Sequence, residues 1–222
     1  MLLTGCIDSS TPAGPDQHES RSVDLEKAER VRARLKIAVG ELNVKGGAQK
    51  LADADFTYNV PEWKPDVQYR ITGSSGDLTI EQRGSTSTSG NKKNRWDIRL
   101  ADSVPLDLGI ELGAGETRLD LGSLNLEGLD VRMGAGTLRM DLRGSPKKDY
   151  SAKVQGGVGE ATIYLPKNVG IAATAAGGIG DISVEGLQKK GDRWVNDAFE
   201  GTGPKIRLDV RGGVGTVKLI AQ

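Results

Sequence analysis

The 222-residue chain is poor in the groups on which most site chemistry depends: it has one cysteine, one histidine and only 4% aromatic residues. A lone cysteine, Cys6, excludes an internal disulfide framework. A lone histidine, His18, lies in a Pro- and Ser-rich stretch near the N-terminus, which excludes a histidine-based triad, general base or histidine metal site. Net charge is missing too. Thirty Lys+Arg balance thirty Asp+Glu, so no overall field draws the chain to nucleic acid, and nucleic acid is not an expected partner. No apolar run approaches the roughly 20 residues of a spanning helix. What the chain has instead is 31 glycines, a composition suited to thin, repeated units rather than one bulky core.

The first six residues read Met-Leu-Leu-Thr-Gly-Cys. Leu3-Thr4-Gly5-Cys6 resembles the lipobox at which bacterial lipoprotein signal peptides are cut. The resemblance implies that residues 1–6 are the remnant of a signal peptide whose basic and apolar regions precede Met1, and that Cys6 is the lipidation site. Two or more acyl chains on it anchor stably where one does not. Asp8 to Ser22 has two prolines and almost nothing to bury, so residues 7–22 are expected to be a disordered tether. The implied location is exported, lipid-anchored on the periplasmic or extracellular face. Ile7, where retained enterobacterial lipoproteins carry Asp, leans toward the outer membrane.

Beyond the tether one motif recurs: a small residue, Gly, usually an acidic or hydroxyl residue, then an alternating apolar strand. Its glycines are Gly40, Gly76, Gly115, Gly136, Gly159, Gly180 and Gly215. From Gly115 to Gly180 the spacings are 21, 23 and 21 residues, a solenoid-sized period. Between the glycines the apolar period is 2, as in Leu106/Leu108/Ile110/Leu112 and Leu138/Met140/Leu142, which puts one strand face inward and the other in water. Val31, Ala33, Leu35 and Ile37 alternate likewise, so a strand is expected from about residue 30. No single repeat buries its own apolar face, so stability must come from stacking. The expected fold is therefore all-β, a right-handed parallel β-helix-like solenoid of stacked short strands, two or three to each coil of roughly 22 residues. Its structural glycines sit at coil corners, with Gly115, Gly136, Gly159 and Gly180 above one another. Residues 23–100 are expected to form an N-terminal part with insertions, continuous with regular repeats over 101–222. Pro61 and Pro65 mark a loop, and the Ser/Thr/Gly/Lys-rich run from Gly84 to Asn94 marks a mobile insertion.

Candidate sites are few. The Gly-Gly-x-Gly runs at Gly156, Gly177 and Gly212 precede strands, whereas a dinucleotide fingerprint must open a helix, and their spacing is more than double that of calcium-binding nonapeptides. No cofactor and no metal are expected. Arg118 with Arg139, and Asp120 with Asp141, recur at matching positions, where each Arg is expected to lean diagonally to an Asp on a solvated face or a mixed-charge binding surface. Trp63, Trp96 and Trp194 are expected near loops or strand edges, capping the stack or holding a ligand. Asp53 and Asp55 share a strand face without a catalytic mark.

Val39-Gly40-Glu41-Leu42, Ala54-Asp55-Phe56-Thr57-Tyr58-Asn59 with Trp63-Lys64-Pro65, Leu112-Gly113-Ala114-Gly115-Glu116, Met133-Gly134-Ala135-Gly136 and Trp194-Val195-Asn196 resemble the toast-rack proteins of bacterial envelopes, a family that includes LiaF-like stress regulators. The likeness spans about residues 23–222 and implies stacked β coils in an envelope setting, without an activity. The expected function is a non-enzymatic, adhesin-like, surface-tethered domain that binds or scaffolds an envelope protein or polysaccharide. Two alternatives stand beside it: an envelope-stress sensor contacting a membrane protein, and a carboxylate-based glycan-active enzyme.

Overall fold

A computed structural model describes residues 13–84 and 91–222. Cys6 and the tip of the Gly84–Asn94 insertion lie outside the described residues. The chain forms β1 (Gln17–Val23), β2 (Arg30–Lys45), β3 (Ala52–Tyr58), β4 (Pro65–Thr72), β5 (Ser75–Gln82), β6 (Asn94–Leu100), β7 (Leu106–Asp120), β8 (Leu126–Asp141) and β9 (Tyr150–Leu165). After these come β10 (Gly170–Ala176), β11 (Ile179–Glu185), β12 (Gln188–Lys190), β13 (Arg193–Val195), β14 (Lys205–Arg211) and β15 (Val214–Ala221). Two short 3-10 turns complete the chain, at Pro61–Trp63 and Asp197–Glu200.

The coil is simpler than two or three short strands. β2, β7, β8 and β9 are each one strand of 15 or 16 residues that bends at its glycine, giving two arms. First arms pair with first arms and second arms with second arms, in parallel register. Two layers result from the single sheet. The first runs β4-β5-β2-β7-β8-β9-β14-β10-β13-β12, and the second β1-β3-β6-β2-β7-β8-β9-β15-β11. Alternation sends Leu108 and Ile110 inward from a first arm and Leu119 from a second, into one shared core cluster. A fully buried Leu or Ile contributes about 1.5–3 kcal/mol, so the stack is held by the sum of its coils.

The bend explains the glycines. Gly115 has φ +139°, a region that side chains disfavour. A Cβ there would lie 1.8 Å from the Gly40 carbonyl oxygen, because the corner backbones stack directly on one another. The column runs Gly40, Gly115, Gly136, Gly159, Gly215, Gly180, each paired in register with the next and each at positive φ.

That order corrects two expectations. Gly180 does not stack on Gly159: the last coil in sequence, β14–β15, inserts between β9 and the β10–β11 coil. The excursion through β12 and β13 leaves room for the chain to come back inside. Gly76 is not a corner. It opens β5 opposite Val31, and a Cβ there would lie 2.5 Å from the Tyr69 Oη, so glycine makes room for that ring. In its coil the corner position opposite Gly40 falls to Asn94, whose Nδ2 donates to the Val39 carbonyl and to Gln82 Oε1.

The tether expectation is also corrected over its second half. β1 occupies Gln17–Val23 and pairs antiparallel with β3 over seven positions, from Gln17 with Tyr58 to Val23 with Ala52. Its side chains are mostly exposed, so the strand is held by its ladder and not by apolar burial, which is why composition misled. His18 is thereby fixed, with Nδ1 3.1 Å from Thr57 Oγ1.

Candidate binding groove

The two outer faces carry similar charges but use them differently. On the first layer several outward charges pair across strands: Arg32 meets Asp77 at 3.6 Å and Asp107 at 3.5 Å, Arg34 meets Asp107 at 3.3 Å, and Glu111 bridges Lys36 and Arg132, both at 3.7 Å, while Lys153 has no ion-pair partner among the described residues. On the second layer the outward residues form two rows. One is Asp55, Asp97, Asn43, Arg118 and Arg139; the other is Asp53, Arg99, Lys45, Asp120 and Asp141. These rows, except Asp53, line a groove of about 430 Å³ across β3, β6, β2, β7 and β8. Five strands at about 4.8 Å spacing make it roughly 19 Å long.

Ion pairing within this groove is incomplete. Asp97 is buried enough to push its carboxyl upward, yet hydrogen bonds from Arg95 Nε at 2.8 Å and Asn43 Nδ2 at 2.8 Å outweigh this and hold it below the usual carboxylate range. Hydrogen bonds from Arg143 likewise hold Asp141 low, against partial burial. Among the described residues, Lys45, Arg99 and Arg139 have no ion-pair partner. Arg118 does not lean to an Asp as expected: it pairs with Glu116 at 2.8 Å on its own strand. Arg139 instead lies over the Tyr164 ring, 4.6 Å from its centroid, with Arg143 at 5.1 Å. Cation–π attraction of this kind contributes about 0.5–1 kcal/mol at exposed sites. The rows therefore present guanidinium, ammonium, amide and carboxylate groups side by side, a surface fitted to hydrogen-bonding an extended polar ligand.

Of the other sequence-selected residues, Asp55 also lines the groove, while Asp53 and the three tryptophans do not. Asp53 and Asp55 accept hydrogen bonds from Ser22 and Ser20, both at 2.6 Å, which ties β1 to β3. Trp96 is fully buried inside the second layer and meets Phe56 edge-on at 5.3 Å. Trp63 is buried in the Pro61–Trp63 turn, and Trp194 lies on β13 beside β10. No group of three or more His, Cys, Asp or Glu placed to hold a metal occurs among the described residues, and no described helix is long and apolar enough to cross a membrane. Sequence reasoning missed Asn43 and Lys45, although they stand at the same offsets from Gly40 as Arg118 and Asp120 from Gly115. It also missed Asp97 and Arg99, whose coil has no corner glycine to align on.

Residues 12–164 match the N-terminal domain of toast_rack, DUF2154. The chain belongs to this family of stacked β coils. The crystal structure of a protein from Clostridium sporogenes, proposed to act in cell adhesion, is 33% identical over 94% of this chain and 100% of its own, with a TM-score of 0.91. A proposed adhesin from Parabacteroides distasonis is 14% identical over 94% of this chain and 98% of its own at a TM-score of 0.35. A protein from the same species proposed to bind lipid is 11% identical over 92% and 97%, at 0.28. No functionally curated protein matches the chain.

Proposed function

We propose that this protein is a non-enzymatic binding module of the bacterial cell envelope, tethered by lipid on Cys6, that holds an extended envelope polysaccharide along the second-layer groove. One observation carries the reading. A groove spanning five strands of the second layer brings Lys45, Arg99 and Arg139, which have no ion-pair partner among the described residues, into two rows beside amide and carboxylate groups. The adhesion role proposed for the Clostridium sporogenes protein, which shares the whole fold, supports the same class of function. A glycosidase needs one carboxyl held protonated, and Asp97 and Asp141, held below the usual carboxylate range by their hydrogen bonds, do not suit that role.

The test is retention of the purified chain on an array of bacterial surface glycans and on isolated cell-wall sacculi. Native protein should bind, and a Lys45→Ala/Arg99→Ala/Arg139→Ala variant should lose at least ten-fold in affinity while unfolding at the native temperature. Absence of binding by the native chain to every glycan, or equal binding by the triple variant, would overturn the groove assignment. The tether is tested separately. The chain expressed with its upstream sequence should partition into the membrane fraction, and Cys6→Ser should release it; a native chain found soluble would remove the anchor.

A further inference from the structure

The two ends of the stack are finished differently. At one end of the second layer, β6, β3 and β1 extend the sheet past β2; the inward side chains of β6 and β3 are buried, and the polar strand β1 covers the edge of β3 with no buried side chain of its own. At the other end β11 has a single neighbour, β15. The first layer is covered at that end by the β13–β12 pair beside β10, and the second layer has no such cover among the described residues. None of the seven residues of β11 is buried; Ile179 is 73% exposed and Ile182 37%. An exposed edge strand with apolar side chains is a template for another strand, and a solenoid end of this kind requires a cap.

The sequence of β11 selects what that strand is. Two antiparallel copies of Ile179–Glu185 related by a two-fold axis have three natural centres. Centring on Asp181 sets Asp181 opposite its own copy. Centring on Ser183 sets Asp181 opposite Glu185 twice. Centring on Ile182 sets Ile182 opposite Ile182, Val184 opposite Gly180, Asp181 opposite Ser183 and Glu185 opposite Ile179. No carboxylate then faces a carboxylate, and the inward alternation of β11 continues unbroken into the partner. Like charges directly opposite one another in a sheet are destabilising, so the strand is self-complementary in this one register. We propose that the protein forms an end-to-end two-fold dimer through antiparallel pairing of β11 with β11 of a second copy, centred on Ile182. The dimer joins two nine-stranded second layers into one continuous sheet and places two grooves on one assembly, so that weak contacts along one polymer add through effective concentration.

Ser183 supplies the test, because it is exposed, points outward and faces Asp181 of the second copy, while its own-chain neighbour is Lys218. Sedimentation velocity of the full chain over a concentration series should show a monomer–dimer equilibrium. Ser183→Asp, which sets two carboxylate pairs across the two-fold axis, should weaken the dimer about ten-fold. Ser183→Lys, which sets an ammonium against Asp181 of the partner at both positions, should tighten it. Within one chain the signs reverse: Asp beside Lys218 favours folding and Lys beside Lys218 opposes it, so a fold-stability effect cannot mimic the association effect. A native chain that stays monomeric, one that grows beyond dimers, or a dimer that responds equally to both substitutions would each overturn the proposal.

Discussion

The closed and open ends of the solenoid show how the same repeat becomes rigid or available according to what covers it. At the closed end, where the N-terminal strand β1 completes the second layer beside β3, the insertion between the first two regular coils adds β5 and β4 to one layer and β6 and β3 to the other. It also brings the bulk that the repeats lack. Trp96 and Phe56 are buried there, and Trp96 Nε1 donates to Asn94 Oδ1 at 3.0 Å. At the open end the first arm is Gly-Ile-Ala-Ala-Thr-Ala-Ala and the second is mostly in water. Small side chains leave the last coil thin, so its stability depends on β15 beneath it and on whatever joins it above. A repeat stack thus needs a different sequence at each end even when every corner glycine is the same.

Substitution in the glycine column sharpens this contrast most. Gly136 is enclosed on both sides: a Cβ on it would lie 1.9 Å from the Gly115 oxygen, and its own oxygen lies 1.8 Å from the Cβ position of Gly159. Gly136→Val adds positive-φ strain to a backbone collision and should cost about 5 kcal/mol or prevent folding. Gly180→Val, at the end of the column with free space beyond it, should cost about 2 kcal/mol because the outer coil can shift. Urea unfolding measures both, and equal losses would show that the open end is as constrained as the centre.

Core truncation comes next. Trp96→Ala at the closed end should cost about 4 kcal/mol, while Ile182→Ala at the open end should cost about 1 kcal/mol when measured at high dilution. Differential scanning calorimetry separates the two, and a large loss for Ile182 in the dilute chain would mean that β11 is already covered.

A smaller effect of opposite sign lies between the ends. Thr117 is 2% exposed, faces the core between Leu42 and Leu138, and its hydroxyl has no hydrogen-bond partner among the described residues. Thr117→Val keeps the shape and removes the orphaned hydroxyl, and should raise stability by about 1 kcal/mol. A fall in melting temperature would reveal a partner for that hydroxyl.

The smallest expected effect is the pH dependence of the groove. Asp97 and Asp141 both titrate below their ordinary value of 3.8 in the folded chain. Their contribution is therefore fully present above the unfolded value and is lost as pH falls through the lower folded values. Native protein should lose stability below about pH 4, and Asp97→Asn with Asp141→Asn should flatten that decline. Both side chains are partly exposed, so solvent screening keeps the change modest. Parallel curves for the two proteins would show that other carboxylates govern acid unfolding.

Much of the fold was legible in the chain itself. Alternation at Val31/Ala33/Leu35/Ile37 marked β2 from Arg30, and the spacing of Gly115, Gly136 and Gly159 located three consecutive corners. Where the reading failed, a long-range partner had taken over a local signal. Gln17–Val23 has no apolar alternation, and only β3 makes it a strand. Gly76 follows the repeat motif in letters, but Tyr69 explains its lack of a side chain. Trp96 looked like an edge residue until Phe56 and the surrounding strands enclosed it. The groove was half legible: Arg118 and Arg139 repeat at a fixed offset from their glycines, while Asp97 and Arg99 reach the same rows on a strand with no repeat signature.

By itself the sequence determined the family, the glycine corners at Gly115, Gly136 and Gly159 and the inward face of each regular strand, because period-2 alternation and a recurring glycine are local patterns. Tertiary structure alone decided that Gly215 stacks between Gly159 and Gly180, that Lys45, Arg99 and Arg139 meet Asp97 and Asp141 in one groove, and that one end is covered while β11 stays open. Those outcomes depend on which strands become neighbours, and in a stack of near-identical parallel coils local residues leave that choice to the path of the chain between them.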